Sequence, residues 1–182
     1  MTCRIRLLGP VLAMLALFPV AVPAQQGGDE GYEALLAALA NAGTPAEAQA
    51  IVPRIWDVWL TAPDAAAQEV LEEALSRRSA YDYAGALKHL NILVESYPNY
   101  AEGWNQRATV RFLVGDYEGA LADVEEVLKH EPRHFGALAG RGMIYFQQGR
   151  LPLAQLSVRN ALRVHPFLAE RAILDIPAGQ EL

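Results

Sequence analysis

Four histidines and two pairs of neighbouring carboxylates are the side chains of this sequence best suited to acid, base or metal chemistry. His130 and His134 stand four apart, the spacing at which two imidazoles on one helix reach a common zinc ion. Pro132 lies between them and interrupts any such helix, and no third ligand accompanies them. His130 and His165 fall where helices should end, so they complement the negative end of a helix dipole. Neither His89 nor His134 has a carboxylate and a nucleophile beside it in the sequence. Glu72-Glu73 and Glu125-Glu126 are adjacent, so on a helix each pair diverges by about 100° and suits a solvated face better than a paired acid and base. The single cysteine is Cys3, and there is neither a Gly-x-Ser-x-Gly elbow nor a glycine-rich phosphate loop. No catalytic residue, no metal site and no cofactor is therefore expected. A deep cleft gathering Glu102, Arg78 and a histidine would be the observation that points instead to an enzyme.

The elements that must position these side chains repeat. Tyr83, Tyr117 and Leu151 are 34 residues apart, as are Ala86, Ala120 and Ala154, and Pro98, Pro132 and Pro166. A period of that size marks stacked helical hairpins. Ala67, Ala74, Arg77, Asp82, Gly85 and Leu87 recur as Ala101, Ala108, Arg111, Asp116, Gly119 and Leu121; the third copy keeps Arg141 for Arg107 and Gly149 for Gly115. Small residues at Ala74, Ala108 and Gly142, and at Ala86, Ala120 and Ala154, fall where two helices of a hairpin must cross closely. Glycines in Gly115-Asp116 and Gly149-Arg150 mark the turn within a hairpin, and the three prolines end its second helix.

The middle copy, with Trp104, Ala108, Gly115, Asp116, Tyr117, Ala120, Val124, Val127 and Pro132, resembles a tetratricopeptide repeat almost position for position. The resemblance covers Ala67 to Pro166 with high specificity and residues 32–61 only weakly. It implies an all-α fold, a right-handed α-solenoid of stacked antiparallel hairpins, with repeats at 67–100, 101–134 and 135–166. Ahead of these, Thr44-Pro45-Ala46-Glu47 is a capping box that opens a helix to about Leu60. Residues 32–61 thus read as a degenerate hairpin that caps the array and buries Trp56 and Trp59. Residues 167–182 read as a C-terminal capping helix and tail.

Function in such an array belongs to the concave surface lined by the first helix of each hairpin. Mapped by the resemblance, the lining that binds a partner is Leu71, Leu75, Arg78, Asn105, Thr109, Phe112, Met143, Phe146 and Gln147. An apolar strip flanked by amides suits an extended or helical peptide. Chaperone-docking members of the family grip a terminal carboxylate there with lysines and asparagines. Here Glu102, Thr109, Ala139 and Met143 hold several of those places, so that clamp is not expected. Terminal helices folded over the strip would fill it instead.

Charge and export complete the reading. The chain carries 15 basic and 21 acidic residues, a balance that argues against a nucleic-acid partner. Nine acids against Arg54 alone lie between Asp29 and Ser76, whereas no acid and five arginines lie between Pro132 and Ala169. Arg133, Arg141, Arg150, Arg159 and Arg163 form a candidate basic patch for an anionic partner or for head-to-tail self-association. Residues 1–24 have a basic start, an apolar run broken by Gly9, Pro10 and Pro19, and a Val-Pro-Ala ending before Gln25. That is the pattern of a cleavable signal, too short and interrupted to span a membrane, with residues 25–31 as a flexible leader. The expectation is a periplasmic, non-enzymatic module that binds a protein or peptide. Its alternative is a self-associating structural subunit, a homo-oligomer within an envelope complex.

Overall fold

In this computed structural model the protein is described over residues 26–177, and every regular element there is a helix. The sequence features read as signal peptide and terminal tail lie outside the described residues. Helices α1 (Gln26–Ala40) and α2 (Pro45–Trp59) form a first hairpin. Three more hairpins follow: α3 (Ala65–Ser79) with α4 (Tyr83–Ser96), α5 (Ala101–Leu113) with α6 (Tyr117–His130), and α7 (Phe135–Gln147) with α8 (Leu151–Val164). The all-α solenoid is thus the observed fold. Helix α1 begins at Gln26, so most of the stretch expected to be a flexible leader is helical; extending an existing helix adds one hydrogen bond per residue fixed.

Local chemistry sets the helix ends. The Thr44 hydroxyl accepts the Glu47 N–H at 3.2 Å while the Glu47 carboxylate accepts that of Gly43 at 2.8 Å. Asp82 caps α4 through the Gly85 N–H and Asp116 caps α6 through the Gly119 N–H. A Cβ at Gly85 would lie 2.1 Å from Asp82 Oδ2, so aspartate and glycine form one motif. At the turns, Gly115 and Gly149 take φ of +83° and +71°. Tyr81 holds the equivalent place in the first repeat at φ +62°, a conformation that costs a side-chain-bearing residue about 1–2 kcal/mol.

Within each hairpin the small residues are the crossing points. Ala74, Ala86, Ala108, Ala120 and Ala154 are buried, and a Cβ at Gly142 would stand 2.9 Å from Val158 Cγ2 and 3.3 Å from the Ala154 carbonyl. Their neighbours form the apolar core of each repeat: Leu71, Leu90 and Leu93 in the first, Val124, Val127 and Ile144 between the second and third.

Two terminal elements depart from expectation. The first hairpin does not stack on the outer end of the array. It crosses the starts of the first helices and packs on the last repeat, where Leu36, Leu39, Ile55 and Trp59 share a core with Phe135, Val164, Phe167 and Leu168. Tyr100, His134 and Leu168 are 34 apart and mark its path: Tyr100 Oη donates to the Trp59 carbonyl, His134 stacks on Trp59, and Leu168 packs into the same core. The C-terminal cap is a 3₁₀-helix, Ala169–Asp175, rather than an α-helix. Ile173 seals it onto Leu151, Ala154 and Val158, and the Gln155 amide holds it by donating to the carbonyls of Ile173 and Ile176. Replacing Gly142 with valine should cost about 1–3 kcal/mol by overpacking the α7–α8 crossing. Thermal unfolding followed by circular dichroism measures it, and an unchanged midpoint would contradict the crossing geometry.

Candidate functional site

The concave face is built from α3, α5 and α7, and the first hairpin covers the starts of α5 and α7. At that covered end a carboxylate is taken out of water. Glu102 is only 1% exposed, and three donors surround it: Asn105 Nδ2 at 3.1 Å, Gln106 Nε2, and His134 Nε2 at 2.9 Å. An unaccompanied buried carboxylate would be costly; three donors offset that. His134 is the N-cap of α7, and its Nδ1 accepts the Ala137 N–H at 3.1 Å, which leaves the ring proton on Nε2, facing Glu102. Arg78 reaches the same network by donating to Gln106 Oε1.

The hairpin closes this network from above. The Trp59 ring stacks on His134 with centroids 3.8 Å apart, and Trp56 meets Trp59, His134 and Phe135 edge-on at 5.1 to 5.6 Å. Trp59 Nε1 donates to Tyr32 Oη at 2.8 Å, and Tyr32 Oη donates to Glu131 at 2.7 Å. Burial first, and then the bond to Glu131, push the Tyr32 hydroxyl well above the ordinary tyrosine range. Arg133 grips Glu33 with both terminal nitrogens, and those hydrogen bonds hold the Glu33 carboxyl below its usual range. Burial depresses His165, which meets Phe135 edge-on at 5.3 Å. Trp56 and Trp59 are therefore packing residues, as expected, but the surface they pack on is the last repeat.

Beyond the covered end the groove stays open as a pocket of about 160 Å³ between α5 and α7. Asn105, Thr109, Phe112 and Met143, all expected in the lining, meet there over a floor that includes Gly136 and Gly140. A Cβ at Gly140 would meet nothing within 4 Å, whereas one at Gly136 would collide with Trp56 Cη2 at 2.9 Å. Other expected lining residues are placed elsewhere. Leu71 is fully buried in the first repeat, because its position on α3 faces α4. Phe146 packs with the C-terminal 3₁₀-helix. Leu75 is half-buried beside the first core, Arg78 is held by Gln106, and Gln147 is exposed at the far turn.

The expected basic patch is dispersed. Arg133 is tied to Glu33 and Glu131 at the start of α7, and Arg150 lies over the Tyr145 ring at its other end, some 20 Å along the helix. Arg163 donates to Asn160, and Arg159 is exposed on α8.

Sequence reasoning weighed Glu102 and His134 separately and missed that they pair. They form a carboxylate–imidazole pair, and with Arg78 they are the three groups that would have pointed to an enzyme. They are not in a cleft: His134 is fully buried and Glu102 nearly so, and both nitrogens of the imidazole are engaged. This arrangement joins helices and is closed to a substrate. The signal for it was positional: Tyr100 and His134 stand where an exposed helix start would carry Asp, Ser or Thr. Among the described residues no group of three His, Cys, Asp or Glu could hold a metal ion, and no helix is long and apolar enough to cross a membrane.

No protein-family model matches the sequence. The chain is similar to the TPR repeat-containing protein of Rhizobium etli, with 41% identity over 81 residues, 44% of this chain and 40% of that relative's length. Among solved structures it is similar to the Sgt2 TPR domain from Aspergillus fumigatus, with a TM-score of 0.59 and 15% identity over 66% of this chain and 91% of that one. It is also similar to the first TPR of Spaghetti bound to an Hsp90 peptide, with a TM-score of 0.57 and 18% identity over 60% and 90% of the two chains. These likenesses show the tetratricopeptide-repeat fold.

Replacing Trp59 with alanine should remove about 3–5 kcal/mol and uncover the Glu102–His134 pair. Loss of near-ultraviolet dichroism, together with new proteolytic cleavage between α2 and α3, is the expected readout; an uncleaved variant of unchanged stability would contradict the docking of the hairpin.

Proposed function

We propose that this chain of tetratricopeptide repeats is an exported, non-enzymatic adaptor or assembly factor that binds a protein or peptide in the bacterial cell envelope. The observation that carries the reading is the pocket between α5 and α7, where Phe112 and Met143 flank an open floor and the amide of Asn105 and hydroxyl of Thr109 line one side. Apolar walls with a few placed polar groups are what a peptide side chain needs to be held and oriented. The glycine at position 140 supports it. Mid-helix glycine costs about 1 kcal/mol relative to alanine, and here no internal neighbour requires the small residue. An approaching ligand gains the space that a methyl would take.

Glu102, with its donors, stands where the Hsp90-type clamp of related arrays would need positive charge. The ligand is therefore held by side-chain burial rather than by a terminal carboxylate, and amidating its C-terminus should leave affinity unchanged. Export rests on the sequence pattern of residues 1–24. After signal cleavage the mature chain would start at Gln25 in the periplasm, without a thiol, consistent with stability that rests on packing alone.

The test uses the mature chain immobilised in envelope extract, with bound proteins identified by mass spectrometry. Phe112→Glu should weaken capture of the retained partner by about thirtyfold or more, as loss of a buried hot spot does, with far-ultraviolet dichroism unchanged. Equal capture would overturn the pocket as the binding site. Fractionation of cells that express the tagged full chain should place a product starting at Gln25 in the periplasmic fraction; an uncleaved cytosolic product would overturn export.

A further inference from the structure

Arg107 and Arg141 occupy equivalent places in the middle and last repeats. In the middle repeat the site is complete. Arg107 Nε and Nη2 donate to the two oxygens of Asp123 at 3.0 and 2.8 Å, and its Nη1 donates to Asn91 at 2.9 Å. Arg111 joins the same carboxylate at 3.0 Å, and the Asp123 side chain is only 2% exposed. A bidentate, desolvated fork of this kind is the strong form of an arginine–carboxylate contact.

Thirty-four residues later the arginine is kept and the three residues around it are different. Asp123 is replaced by Ser157, Asn91 by Glu125 and Arg111 by Tyr145. Ser157 is buried, and its hydroxyl proton goes to the Leu153 carbonyl at 2.9 Å. Exchange of carboxylate for hydroxyl removes both the charge and much of the volume that faces the arginine. The result is visible at Arg141: among the described residues its Nε is a buried side-chain nitrogen without a hydrogen-bond partner. Glu125 is exposed, and no carboxylate of the described residues forms an ion pair with Arg141. Orphaned buried donors are rare in folded proteins because each forfeits its hydration.

We propose that the Nε–Nη2 edge of Arg141 is an oxyanion site, which takes a carboxylate or phosphate group from outside the chain in the place that Asp123 fills for Arg107. The surroundings favour such a ligand. No acid lies between Pro132 and Ala169. Exposed Arg159 on α8 lies on the face of that helix turned away from Ser157, and adds positive charge to the same repeat that attracts anions at longer range. The site is separate from the groove between α5 and α7: it uses the side of α7 that faces α6 and α8, so a ligand can occupy each at the same time.

The test follows the Arg141 side-chain Nε–H resonance by NMR in the mature chain at constant ionic strength, with inorganic phosphate in one titration and end-blocked hexaglutamate in the other. A saturable shift of Arg141, absent at Arg107, is expected. Saturation by phosphate in preference to hexaglutamate assigns the site to a free anion, and the reverse order assigns it to an acidic side chain of a partner protein. Ser157→Asp should place the resonance near that of Arg107 before any ligand is added, abolish the titration and raise the melting temperature. Arg141→Lys, which keeps the charge and loses the fork, should lose saturable binding as read by chloride-balanced calorimetry. No saturable shift with either probe, an equal shift in Ser157→Asp, or undiminished binding by Arg141→Lys would overturn the site.

Discussion

The burial of the Glu102 carboxylate is the constraint on which the assembled structure depends. A carboxylate removed from water must be given back its hydrogen bonds, and here they come from three places in the chain: Asn105 and Gln106 on its own helix, and His134 from the next repeat. His134 can serve only if its ring is held upright, which the Ala137 N–H does from one edge and the stacked Trp59 ring from one face. Water is excluded only while the first hairpin lies across the ends of α5 and α7. Polar networks of this sort are cooperative, and loss of one member exposes the rest. The hairpin, the groove floor and the start of α7 therefore form one unit although they are far apart in the chain.

That unit decides how much concave surface is left for a partner. An open three-repeat array would offer a continuous strip from Leu75 to Phe146. Here Trp56 covers Gly136 at one end and the C-terminal 3₁₀-helix takes Phe146 at the other. What remains is short, apolar and central, bounded by Phe112 and Met143. A pocket of that size has room for one or two side chains and not for a long extended peptide, so under the proposed function specificity would rest on shape at a point rather than on a run of contacts.

The repeat register was legible because its determinants are local. Asp82 with Gly85, the glycines of the turns and the small residues at the crossings each act within a few residues or on the adjacent helix, and the 34-residue period multiplies the signal. The path of the first hairpin was not legible. Its contacts join Trp59 to His134 and Glu33 to Arg133, separations with no periodic signature, and a terminal hairpin can bury the same apolar face against either end of an array. Four of the expected lining residues, Asn105, Thr109, Phe112 and Met143, met at the pocket; Leu71 and Phe146 were lost to neighbours whose position only the folded chain defines.

The electrical asymmetry of the chain has a similar resolution. Read along the sequence, acids at the start and arginines near the end describe a dipole awaiting a partner. In the fold, part of that dipole is closed internally, because Glu33 and Arg133, 100 residues apart, are brought into a two-nitrogen contact by the same hairpin that covers Glu102. Glu131 contributes to the closure by accepting from both Tyr32 and the Arg133 backbone. Such an exposed pair adds little energy on its own and fixes orientation more than stability. The arginines that remain outside this closure are those of the last hairpin beyond its start. One of them, Arg141, is the place where the repeat has kept a cation and given up its anion.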